Sequence, residues 1–429
     1  MTFSTTRTVL ATAAIVTVGV VTAGLALVSG APVQVSIPGQ VNATPSLAAS
    51  GQVVALAWGA TMDQSPATVH VAVSHDSGRT FAAPVRVSDN RSQANLAAEQ
   101  PPRVTLVPRA GREPSIVVMW TSKADSGTRL IVARSEDGGR RFSRPAVLRA
   151  SEAPGNRGWE SVATDRQGRV LALWLDHREL APAPGAAAHV HGAHAVAAGA
   201  SDGAERALRS KLVFAPLDDP AGVREITGGV CYCCKTSLAT GADGGIYAAW
   251  RHVYPGNLRD IAFAMSRDGG RTFSAPVRIS EDKWQIDGCP ENGPALTVDA
   301  AGRIHIVWPT LIREAGRETL ALYYSTSADG RTFSARTRIP TTGAAYHPQV
   351  ALTAAGELFV AWDELAAGAR RVRFARGRST ARGMTFTPAP APAVSDGGFP
   401  TIAVTANGIV AAWAARVGSA THIAVERWE

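Results

Sequence analysis

Ser266-Arg267-Asp268-Gly269-Gly270-Arg271-Thr272-Phe273 reads as a tight turn between two strands. Ser and Asp offer side-chain acceptors to the backbone, Gly takes the dihedral other residues resist, and the aromatic opens the next apolar face. The pattern returns at Ser74–Phe81 and Ser135–Phe142, one residue shorter at Ser327–Phe333, and eroded at Ser379–Phe386, where Ala381 replaces the aspartate. One such turn would say little. Its recurrence between apolar strands marks an internal repeat, and a repeat sets the architecture.

A second recurrence fixes the unit. A short polar or proline-bearing segment leads into a strand, and the next strand closes on tryptophan: Trp58, Trp120, Trp174, Trp250, Trp308, Trp362 and Trp413. A third strand follows, and the turn links it to a fourth. Four antiparallel strands repeated radially make a propeller blade, so the expected fold is all-β, a seven-bladed β-propeller. The last unit ends after its third strand, Thr421–Glu426. Val33–Ile37 belongs to no unit, and is expected to supply the missing outer strand and remove an open edge. Unit 3 lacks the aspartate turn and carries an insertion, about residues 179–209.

Ahead of the propeller (31–429), residues 1–30 read as a signal peptide or N-terminal membrane anchor. Arg7 precedes the apolar run Val9–Val28, and Ser29-Gly30-Ala31 offers small residues for cleavage. A periplasmic or extracellular location is expected, with membrane contact only through this segment, and a monomer. Gly 41 and Pro 26 suit turns and strands, and the formal charge of +8 is thinly spread. No basic run alternates with stacking aromatics, so no nucleic-acid partner is expected. A nucleotide-binding glycine loop, a His-Glu-x-x-His helix and a Cys-x-x-Cys-His haem site are absent.

The repeated turns resemble the Asp-box (BNR) repeats, Ser-x-Asp-x-Gly-x-x-Phe/Trp, of the sialidase-like propeller superfamily, over nearly all of 33–429. The resemblance implies turns on the face opposite an active site. It also implies, for a true sialidase, six blades, three carboxylate-binding arginines, a Tyr–Glu nucleophile pair and an Asp acid/base. The first blade begins Asn42-Ala43-Thr44-Pro45 without an arginine, so the resemblance covers the fold and not the sialidase catalytic residues.

In each blade the first strand begins and the second ends on one face, so residues flanking those points converge on one channel mouth. The approach to the first strands holds Trp159, Glu160, Tyr346, His347 and all four cysteines: Cys231, Cys233, Cys234 and Cys289. The second strands end on Asp176-His177-Arg178, Arg251-His252 and Asp363-Glu364. Aligning Leu238 with Leu296 sets Cys231 opposite Cys289 in neighbouring blades, which admits two readings. One is a structural disulfide between them, as exported proteins use. The other is a soft-metal site in which Cys231, Cys233, Cys234 and Cys289, assisted by His252 or His347, bind copper, with zinc as the alternative. That site would serve metal capture and transfer, with a metallochaperone-like donor as partner, or redox chemistry, although a Cys-x-x-Cys helix start is not seen. His177 and the insertion's His189, His191 and His194 are lesser metal candidates. A glycoside hydrolase acting on a glycan would instead draw on Glu160, Asp176, Arg178, Arg251 and Asp363. A non-catalytic protein-interaction propeller would use the same face without turnover or metal.

Overall fold

The computed structural model describes Met1 and residues 32–62, 65–180, 202–286, 288, 290–314, 316–381, 383–418 and 420–428. Apart from Met1, the segment read as a signal or anchor lies outside them, as do His189, His191, His194 and Cys289. Among the described residues no helix is long and apolar enough to cross a membrane.

Strand pairing yields seven sheets of four antiparallel strands. Six follow chain order, from Val41–Ser50, Val53–Thr61, Thr68–Ser74 and Val85–Arg86 in blade 1 to Ala344–Leu352, Leu358–Ala366, Ala369–Thr380 and Gly383–Pro388 in blade 6. Blade 7 takes its outer strand from the other end of the chain. Val33–Val35 pairs with Ala420–Trp428, with Val33 opposite Val425 and Val35 opposite Ile423. Val35 is buried in the same apolar cluster as Ile423 and Trp58, so the strand ties the last blade to the first.

The second strands form the densest layer. All seven of their tryptophans are essentially inaccessible. A buried indole N–H needs an acceptor, and each finds one: Trp58 on Asn42 Oδ1, Trp120 on Ser92 O, Trp174 on Asp176 Oδ2, Trp250 on His252 Nδ1, Trp308 on Asp282 Oδ2, Trp362 on Glu364 Oε2 and Trp413 on Val394 O. Several polar residues at strand ends are therefore acceptors for the core before they are anything else.

The aspartate turns share one hydrogen-bond pattern. At Ser266–Phe273 the Gly270 N–H donates to Ser266 Oγ at 2.9 Å and the Thr272 N–H to Asp268 Oδ1 at 3.0 Å. Ser74–Phe81 repeats it at 2.8 and 2.9 Å. Gly270 sits at φ +90°, and a Cβ there would lie 2.4 Å from a ring carbon of Phe214 in blade 3, so the position excludes side chains twice over. Phe273 packs edge-on against that same ring.

Toward the channel the first strands break register in a recurrent way. The pairing slips between Ala43 and Ser46, Gly158 and Ser161, Tyr346 and Gln349, and Gly398 and Thr401. Thr44, Trp159, His347 and Phe399, inside those slips, all adopt φ between +50° and +58°. Such bulges re-aim side chains at a strained backbone position, and they cluster where a structure has function to serve. Here three of the four, Thr44, His347 and Phe399, line one cavity.

Candidate functional site

The channel mouth is plugged. A cavity of about 20 Å³, room for roughly one water, is bounded by Glu99, Arg103, Lys235 and His347 from blades 2, 4 and 6. Glu99 reaches across to accept the Lys235 N–H at 2.8 Å and the Gly293 N–H at 2.9 Å. Gly293 is obligatory there, since a Cβ would lie 2.1 Å from Lys235 O. Burial pulls the Lys235 amine down to about 8, opposed by Glu99, and its Nζ donates to Pro348 O.

The carboxylates expected to ring an open cleft are packed away. Glu160 is fully buried, accepts from Thr121 Oγ1 at 2.9 Å, and leaves Oε1 without a partner. Burial raises its carboxyl to about 7, against the pull of nearby Arg103. Asp363 is also fully buried. It accepts from the Phe399 N–H at 3.1 Å, bonds His347 Nδ1 at 2.7 Å and pairs with Arg370. Although burial opposes it, His347 and Arg370 hold that carboxyl below the usual range. Asp176 pairs with Arg157 and, at 2.9 Å, with Arg178.

Arg251 is a clamp between blades 4 and 5. Its guanidinium donates to the carbonyls of Asn292, Arg259 and Pro309 at 2.6–3.0 Å and lies over the Trp284 ring. Four of its five N–H groups are engaged by these carbonyls.

Beside this plug lies the sulfur cluster. The turn Cys231–Cys234 hangs from the end of blade 4's second strand, with Cys231 N–H donating to Arg251 O at 2.9 Å. The Sγ atoms of Cys231, Cys233 and Cys234 lie within 4.8 Å of one another, all buried. Ala207, on the helix Asp202–Arg209 that ends the insertion, packs on them with Val253, Trp159 and Tyr232. Cys231 and Cys234 are free, and Cys233 is disulfide-bonded. The expected Cys231–Cys289 bridge is thus corrected at the Cys231 end: its sulfur hydrogen-bonds within the turn, 3.5 Å from Cys234.

Arg259 Nη1 donates to Cys231 Sγ at 3.1 Å, and the Asn292 N–H to Cys234 Sγ at 3.4 Å. Burial works against ionising Cys231, but the Cys234 hydrogen bond and the charges of Arg259 and Arg251 bring its thiol down to about 6. Cys234 moves the other way, raised by burial and by its bond to Cys231. The pair is two hydrogen-bonded sulfurs in Cys-x-x-Cys spacing, on a turn rather than at a helix start. The spacing is plain in the sequence, but a helix was the wrong context to require.

The histidines stand apart from the sulfurs. Among the described residues the cluster of possible ligands contains the three cysteines and no histidine. His347 Nδ1 is engaged by Asp363, and His252 Nδ1 accepts the Trp250 indole. Burial lowers His252 to about 4. His177 is buried against Trp159, its Nε2 unpartnered, and is likewise lowered to about 4, chiefly by burial. The positional rule used on the sequence, applied to the approach to blade 2, also points to Glu99 and Arg103. Arg259 carries no such signal, because it stands in a loop ahead of a third strand.

No family model matches the sequence, and no curated protein matches it. Solved structures do. The GH93 α-L-arabinofuranosidase of Fusarium graminearum with arabinobiose superposes at TM-score 0.51 and 13% identity, over 93% of this chain and 98% of that one. The polysaccharide lyase Uly1 gives 0.51 at 10% identity, over 90% and 89%. The Trypanosoma rangeli sialidase with the inhibitor DANA gives 0.44 at 11%, over 90% of this chain and 55% of that one. The fold is a seven-bladed propeller, and at these identities the likeness to the arabinofuranosidase and the lyase is one of fold alone.

Proposed function

We propose that the chain is an exported propeller that captures a soft metal, copper(I) before zinc, at the turn Cys231–Cys234. The observation that carries this is the sulfur cluster itself, three Sγ atoms within 4.8 Å in a water-excluded pocket beside a guanidinium. Cys231 and Cys234 are the ligands available with the disulfide intact, and Cys233 joins only when reduced. Two thiolates around one copper(I) leave a single negative charge, which Arg259 offsets. Zinc prefers four ligands or three plus water, and among the described residues no histidine joins this buried group. Export by the N-terminal segment places the protein where copper is handled outside the cytosol, with a metal-donor protein as partner.

The test is anaerobic copper(I) titration against a competing chelator, on untagged protein. Wild type takes up one equivalent, and Cys231→Ser/Cys234→Ser loses it with the fold intact by circular dichroism. Unchanged stoichiometry and affinity sink the reading.

A glycan-hydrolase reading draws support from the fold neighbours, whose names are those of an arabinofuranosidase, a polysaccharide lyase and a sialidase. Glu160, held protonated to about 7, suits a general acid. Against it, the axial cavity admits a water and not a sugar ring. Turnover of arabino-oligosaccharides or sialosides that vanishes in Glu160→Gln would establish it, and inactivity of wild type on both removes it.

A further inference from the structure

We infer that the disulfide at Cys233 is transferable within its own turn, passing by thiol–disulfide exchange to the Cys231–Cys234 pair. Cys231 Sγ stands 3.9 Å from the disulfide-bonded Cys233 Sγ and 3.5 Å from Cys234 Sγ. Exchange requires a sulfur nucleophile in van der Waals reach of a disulfide sulfur, and this turn supplies one without any chain movement from elsewhere. The Arg259 guanidinium, 3.1 Å from Cys231, supports negative charge on that sulfur.

The chemistry closes on itself. Cys231 sulfur attacks Cys233 Sγ, a Cys231–Cys233 bond forms, and the bond from Cys233 to its partner breaks. The partner sulfur leaves with the electron pair and the negative charge. Cys234, giving up its proton to that thiolate, then attacks Cys231 Sγ and expels Cys233 as thiolate. The product holds a Cys231–Cys234 disulfide, Cys233 as the thiolate and its former partner as the thiol. One disulfide is present throughout, so no external oxidant or reductant enters.

Burial favours this internal route over an intermolecular one. The three sulfurs are covered by Ala207, Val253, Trp159 and Tyr232, and are 1–2% exposed, so bulky external thiols are kept out while neighbouring sulfurs remain in reach. The exchange would switch the turn between two arrangements of free sulfur. It concerns the loop proposed above as the metal site, but it stands without any metal, and is therefore tested on metal-stripped protein.

The experiment is thiol mapping. Metal-free protein is quenched in acid, alkylated with N-ethylmaleimide under non-reducing denaturing conditions, and each cysteine is assigned by fragment-ion mass spectrometry. Wild type is expected to show a fraction of molecules labelled at Cys233 and unlabelled at Cys231 and Cys234. Cys231→Ser should lose Cys233 labelling altogether. Cys234→Ala halts the sequence after its first step, so Cys233 stays unlabelled while its former partner gains label, which keeps the test decisive if Cys231→Ser misfolds. Two results overturn the inference: wild type labelled only at Cys231 and Cys234, or Cys233 labelling that persists in Cys231→Ser. A failed copper titration leaves this readout untouched.

Discussion

At the turn Ser266–Phe273 the polar groups bond within the motif: Ser266 Oγ, Asp268 and the Gly270 and Thr272 amides close on one another in eight residues. At the cluster around Cys231 and Asn292 the partners come from residues far apart in sequence. Asn292 alone touches Cys234 through its N–H, Arg251 through its carbonyl and His347 through its side chain. The first region repeats because it is complete locally. The second occurs once because it needs several blades, and it retains unpartnered atoms on Glu160, Arg103 and Asn292. Local satisfaction builds the scaffold, and the incompletely satisfied axial face is where chemistry has room to act.

The sharpest way to break the contrast is to open the ring. Removing residues 32–40 takes away Val33–Val35 and leaves Ala420–Trp428 as a bare edge. Soluble yield should fall several-fold and the remainder should elute as aggregate in size-exclusion chromatography. Monomer at wild-type yield would show that the closing strand is dispensable.

Next comes the clamp. Arg251→Met strips the Asn292, Arg259 and Pro309 carbonyls of their shared donor in a fully buried setting. Urea unfolding should register a loss of about 3–5 kcal/mol. A loss under 1 kcal/mol would mean that other donors replace the guanidinium.

Glu160 tests the axial plug through pH. Its folded carboxyl lies at about 7 against an ordinary 4.5, so the unfolded chain releases the proton first. Below 4.5 both states hold it and nothing is gained or lost. Stability should fall as pH rises from about 4.5 to 7 and level off above. Glu160→Gln should abolish that decline, worth on the order of 3 kcal/mol by pH 8. Parallel pH profiles for the two proteins would contradict the burial argument.

The smallest effect belongs to the turns. Burial opposes it, but Thr80 and Ser74 hold the partly exposed Asp76 carboxyl at about 2, below its ordinary 3.8. Its contribution is present above pH 4 and lost as pH falls toward 2. Asp76→Asn should flatten the acid limb of stability over that window and lower neutral stability modestly, toward the value the wild type falls to near pH 2. An unaltered acid limb would show that the turn's hydrogen bonds are the same in the unfolded chain.

What the sequence by itself determined is whatever repeats. Seven tryptophans and the aspartate turns were enough to define the blades, because each depends on contacts within a few tens of residues. Closure pairs Val33 with Val425, and was legible because the last unit lacks a fourth strand. The positional rule also named the three cysteines whose sulfurs lie together. Only the tertiary structure decided what those residues do there. Asp176, Arg251 and Asp363 read as candidates for an open cleft, yet blade packing places them under 4% exposure, where desolvation makes them pair with neighbours first. Cys231 and Cys234 hydrogen-bond to each other, and His252 and His347 are drawn to Trp250 and Asp363, because side-chain direction at a strand end is set by bulges and inter-blade packing. Arg259, which charges the sulfur site, is brought to Cys231 from 28 residues away by a loop that follows no repeat.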